Sequence, residues 1–158
     1  MKLEKELKLK QPLASVNHEA LLSLVRTATL MQKLSNRFFA KFELTDVQFN
    51  ILMILKAHGA KGLSQQELSE QLVVGKSNVV GLVDRLEKGG YVRRTSHPSD
   101  RRFNQIVLAP KGARLEQRVE QSYFKEVDRM MNVLTGLEKK VLIHAMEKIR
   151  QYILASEI

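Results

Sequence analysis

Apolar residues recur at helical spacing along most of this chain. Between Leu13 and Phe39 they fall at Leu21, Leu24, Val25, Ala28, Met31, Leu34 and Phe38. At about 100° per residue these positions share one face, so the pattern predicts a long amphipathic helix. Thr45 opens a second helix, with Asp46 in its first turn, where the helix dipole favours negative charge. Its run Phe49, Ile51, Leu52, Met53, Ile54, Leu55 is apolar all round, which predicts burial. The segment stops near His58-Gly59, with Gly62 just beyond, because glycine tolerates the backbone that ends a helix.

Ser64-Gln65-Gln66-Glu67 spells a capping box, in which serine and glutamate each satisfy a free backbone N–H of the other's residue. A short helix with Leu68 and Leu72 inward follows, then a break at Gly75, then a helix over 76–88 halted by Gly89-Gly90. Tyr91–Thr95 and Phe103–Leu108 read as two strands joined by the polar, basic loop 96–102. Two strands alone are not independently stable, so the hairpin is expected to lie against the preceding helices. Pro110 fits the first turn of a helix bearing Leu115, Val119, Phe124, Val127, Met130, Met131 and Leu134. A second capping box, Thr135 to Glu138, starts a last helix with Val141, Leu142, Ala145, Ile149, Tyr152 and Ile153. The predicted fold is mainly α with a small β-hairpin (α+β). Its expected parts are an N-terminal helix (1–39), a winged helix-turn-helix (40–109) and C-terminal helices (110–158).

Composition narrows the function. The 158 residues suffice for one domain with a real core. The net charge of +9 favours a polyanionic partner, since Lys and Arg displace condensed counterions from phosphates. There are no cysteines, which excludes disulfides, thiolate zinc sites and cysteine redox switches. His18, His58, His97 and His144 form no close metal-ligand spacing. No signal peptide or membrane-length apolar run is visible, so a cytoplasmic protein with no membrane partner is expected. No catalytic or cofactor signature appears, so neither an enzyme nor a bound cofactor is expected.

The helix 76–88 concentrates the remaining chemistry. Val79, Leu82, Val83 and Leu86 share an inward side, while Ser77, Gly81, Asp84 and Lys88 lie opposite, flanked by Asn78, Val80 and Arg85. That outward face is small and polar near its start. It suits a major groove about 12 Å wide, where Ser77 and Asn78 can bond base edges and Val80 can touch a thymine methyl. Between 76 and 102 stand seven basic residues (Lys76, Arg85, Lys88, Arg93, Arg94, Arg101, Arg102) and three acidic ones (Asp84, Glu87, Asp100), a net +4. Arg101-Arg102 at a hairpin tip can enter a narrow A·T-rich minor groove, while Asp100 would repel phosphate and is expected to brace the loop.

The stretch 68–112 resembles the MarR family of multiple-antibiotic-resistance-type regulators. The resemblance rests on Leu82-Val83-Asp84-Arg85-Leu86-Glu87-Lys88-Gly89-Gly90-Tyr91-Val92-Arg93-Arg94, on His97-Pro98-Ser99-Asp100-Arg101-Arg102 and on Val107-Leu108-Ala109-Pro110-Lys111-Gly112. It implies a homodimeric regulator of double-stranded DNA, with terminal helices forming the dimer and Arg102 as the wing arginine. It also implies a small amphipathic or phenolic ligand, which Met31, Phe38, Phe39, Phe49 and Met53 could line. The duplex contacts expected are Lys76, Ser77, Asn78, Val80, Gly81, Arg85, Lys88, Arg94, Arg101 and Arg102. Gly81 and Ala109 depart from the family's usual larger polar residue and threonine. A winged protein-interaction module without specific DNA binding is the alternative.

Overall fold

The protein is described from a computed structural model covering residues 3–72, 79–96 and 104–156. The chain divides into two compact units, the first ending at Ala113 and the second starting at Arg114.

The first unit opens with a short helix α1 (Leu3–Glu6), which the periodicity did not reveal. Glu6 pairs with Arg26 at 2.6 Å and ties α1 to the long helix α2 (Val16–Ala40). α2 starts later than Leu13 because Ser15 caps it, its hydroxyl accepting from the His18 N–H at 3.2 Å. Thr45 and Gln48 form a reciprocal capping box at the head of α3 (Asp46–His58). Gln32 on α2 donates to Asp46 at 2.9 Å and joins the two helices.

α3 is the centre of this unit. Phe49, Ile51, Leu52 and Leu55 are fully buried, each worth about 1.5–3 kcal/mol of removal from water. A single 3-10 turn (Gly59–Lys61) leads to β1 (Leu63–Ser64) and α4 (Gln65–Gln71), the latter opened by the Ser64–Glu67 capping box. Then come α5 (Val79–Lys88), β2 (Val92–Ser96) and β3 (Asn104–Leu108).

The wing has a third strand that the sequence pattern did not disclose. The order is β1-β3-β2, all antiparallel, with Leu63 opposite Ile106 and Arg94 opposite Ile106 on the other side. Two residues are too few to show the alternation that marks a strand. It anchors the hairpin to the helices, and Ile106, Val107 and Val92 complete the core with Leu68, Val79, Val83 and Leu86.

The helix α6 (Pro110–Met131) begins on Pro110, whose missing N–H costs nothing at a first turn. In the second unit Leu115, Glu116 and Val119 are buried. The last helix α7 (Gly136–Ser156) starts at the expected Thr135–Glu138 box. None of its residues is buried, although Leu137, Val141, Ile143, Ile149 and Tyr152 are apolar.

Candidate nucleic-acid interface

The faces of α5 follow from its spacing. Val79, Val83 and Leu86 turn into the core and Leu82 is half-buried. Asp84, Arg85 and Lys88 are exposed, Gly81 is half-buried, and Val80 keeps 55% of its surface in solvent. The outward face therefore combines one apolar side chain, one glycine, one carboxylate and two cations.

The end of α5 is built with unusual care. The Tyr91 N–H donates to the Leu86 carbonyl and the Gly90 N–H to that of Glu87, the paired bonds of a Schellman stop. Gly90 supplies the positive φ, +73°, that this stop requires. Lys111, from the first turn of α6, donates its ammonium to the Gly89 carbonyl at 2.7 Å. It also lies 4.6 Å from the centroid of the Tyr91 ring. A cation thus meets the negative end of α5 and an aromatic face together.

β2 is fastened to α5 by Arg94. Its guanidinium donates to Asp84 at 2.5 Å and also to Glu87. Its backbone N–H donates to the other Glu87 oxygen at 2.8 Å. The Asp84 carboxylate, with Glu87 beside it, holds the Arg94 pKa above its ordinary value despite partial desolvation. Arg93, next in line, is exposed.

The expected site residues are distributed as follows. Val80, Gly81, Arg85 and Lys88 stand together on the outer side of α5. Arg94, expected among the duplex contacts, here donates to two carboxylates of α5, Asp84 and Glu87. Strand alternation carries the missed signal: Arg94 shares a side with buried Val92, so it points toward the helices rather than away. Lys111 was missed as well. Its partner is a backbone carbonyl 22 positions away, which no periodicity encodes. Lys76, Ser77, Asn78, Asp100, Arg101 and Arg102 lie outside the described residues.

Of the residues expected to line a ligand cleft, Phe39 and Phe49 are buried with ring centroids 5.2 Å apart. Phe38 is half-buried and 5.0 Å from Phe39, edge to face. Met53 is half-buried and Met31 is exposed. Phe39 and Phe49 serve as core of the first unit. Among the described residues no cluster of three metal-ligating side chains occurs, and no helix is long and apolar enough to cross a membrane.

A family model described as the MarR family matches residues 44–103. The HTH-type transcriptional repressor YetL of Bacillus subtilis is 32% identical over 126 residues, spanning 79% of this chain and 75% of YetL. Among solved structures, the MarR family transcriptional regulator Sco3205 of Streptomyces coelicolor, in complex with DNA, is 26% identical. The match covers 90% of this chain and 91% of that one, with a TM-score of 0.76. CouR of Rhodococcus jostii RHA1, bound to p-coumaroyl-CoA, matches at 24% identity over 89% of this chain and 95% of its own, with a TM-score of 0.70, a likeness of fold.

Proposed function

This chain belongs to the MarR family of DNA-binding transcriptional regulators, and on that premise we propose that it seats α5 in the major groove of a pseudo-palindromic operator as a homodimer. One observation carries the reading. α5 is fixed by its buried side, by Lys111 and by Arg94, yet Val80, Arg85 and Lys88 on its outer side stay exposed, with half-buried Gly81 among them. A helix held that firmly with a small-residue opening suits close approach to base edges.

The division of labour follows from chemistry. Ser77, Asn78 and Val80 read bases, while Lys76, Arg85 and Lys88 hold phosphates. Arg101 and Arg102 carry positive charge into the flanking minor groove, braced by Asp100. Arg94 acts within the protein. The net charge of +9 supplies the non-specific attraction on which sequence reading is superimposed. A twofold mate would cover the apolar residues of α7, and half-sites then lie one helical turn apart, about 34–36 Å.

A small amphipathic or phenolic ligand is the effector class that fits this assignment, supported by the 2,4-dichlorophenol bound to the organohalide-sensing regulator RdhR-CbdbA1625. Its binding would shift the spacing of the paired recognition helices and so the affinity for the operator.

The test is fluorescence anisotropy with duplexes selected from the source genome, titrated against random competitor across a salt series. A regulator prefers the selected duplex and loses affinity steeply with salt. Arg102→Ala should cost about 1–3 kcal/mol of operator binding. Equal affinity for selected and random duplexes would instead favour a winged module that engages other proteins.

A further inference from the structure

A winged protein that reads two grooves must hold two elements at a fixed separation. Here those elements are α5 and the hairpin β2–β3. Their covalent link is the short turn 89–91, which fixes one end only. The other constraint is Arg94. One guanidinium fork spans Asp84 and Glu87, three residues apart on α5, while the Arg94 N–H binds Glu87 again. Three bonds from one residue of β2 thus set both the distance and the rotation of the strand relative to the helix.

The same contact has an electrostatic side. Asp84 is exposed near the middle of the outer face of α5, where a bare carboxylate would repel phosphate. Arg94 screens it. With both terminal nitrogens of its guanidinium engaged, Arg94 has little left to offer a phosphate of its own.

We infer that Arg94 is a positioning residue for specific recognition: it registers the wing against α5 through Asp84 and Glu87 and makes no phosphate contact. This inference rests on the DNA-binding reading above. It separates two affinities that are usually lumped together. Operator binding needs both grooves engaged at once and depends on the clamp. Binding to random duplex needs only the basic surface and does not.

Arg94→Lys is the discriminating variant. Lysine keeps the charge and serves a phosphate as a point cation, but it cannot bridge two carboxylates as a planar fork does. The expected result is a roughly tenfold loss of operator affinity. Random-duplex affinity and the slope of log K against log salt should stay at wild-type values. Should Arg94→Lys bind operator as tightly as wild type, the clamp is passive or Arg94 is a phosphate ligand, and the inference is overturned.

The pair R94M and D84N in one chain keeps the net charge unchanged and gives a second reading if the lysine variant folds poorly. It should lose operator preference while retaining random binding. Parallel loss on both duplexes, with a slope shallower by about one unit, would assign Arg94 to the DNA backbone and overturn the proposal. A wild-type protein that fails to prefer any selected duplex sinks the DNA reading itself, and that outcome is visible before any variant is made.

Discussion

Gly112 lies so close to Tyr91 that a Cβ on it would sit 2.0 Å from the Tyr91 carbonyl oxygen. This is backbone against backbone, so no side-chain rotation relieves it. Glycine inside a helix normally costs about 0.5–1 kcal/mol relative to alanine, and α6 accepts that cost to bring its first turn against the end of α5. Gly112→Ala should therefore destabilise by about 1–3 kcal/mol or more, read as a lower midpoint in urea. Gly136 is the control, since a Cβ there meets nothing within 4 Å. Gly136→Ala should be neutral or stabilise by up to about 1 kcal/mol. Equal effects of the two would discount the close approach.

The capping boxes give stability a pH dependence. The Ser64 backbone N–H, with the Ser64 hydroxyl, holds the Glu67 carboxyl below its ordinary pKa; at Thr135 the hydroxyl and then the N–H do the same for Glu138. A carboxyl depressed in the folded state contributes fully above its unfolded pKa. The contribution disappears as pH falls through the folded value. The unfolding midpoint should thus decline below about pH 4.3, the ordinary glutamate pKa. Glu67→Gln should flatten part of that decline in thermal melts taken between pH 3 and pH 7. A melt series as steep for the variant as for wild type would remove Glu67 from the account.

Val80 makes a prediction about bases. Its exposed methyls suit the C5-methyl of thymine, an apolar contact worth about 0.8 kcal/mol per buried carbon. Replacing thymine by uracil at one position per half-site should weaken operator binding several-fold for the wild type and leave Val80→Ala unaffected. A uracil scan that shows no sensitive position would exclude this contact.

The second unit predicts its own oligomeric state. α7 carries Val141, Ile149 and Tyr152 without burying any of them, and Tyr152 keeps 75% of its surface. An apolar stripe of this length is costly in water. Sedimentation velocity should show a dimer, twice the 18.1 kDa chain mass. Ile149→Asp should shift the population to monomer while preserving helix content by circular dichroism. A wild-type chain that sediments as a monomer at micromolar concentration would contradict the assignment.

The sequence disclosed what repeats and withheld what does not. α3 and α5 were legible because Phe49, Ile51, Leu52 and Leu55, or Val79, Val83 and Leu86, fall at periods set by the helix. Ser64 and Thr135 announced two helix starts through their partners three residues on, and Thr45 a third through the acidic Asp46 that follows it. β1 was hidden because its pairing with Ile106 spans more than 40 positions and only two residues. Within the site, Val80, Arg85 and Lys88 could be placed by rotation about one helix axis. The Arg94 fork and the Lys111 bond could not, because each depends on how two elements pack.

The sheet order leaves β2 as a margin. An open margin is a template on which a foreign strand can grow, and proteins guard such places with charge. On β2 the N–H of Arg94 is already held by Glu87, and exposed Arg93 presents a cation beside it. The carboxylate that braces the wing therefore also occupies a rung that an incoming chain would use. Strand-to-strand polymerisation of this small sheet is disfavoured by the same side chain, and Glu87→Ala would expose the protein to aggregation on storage at high concentration.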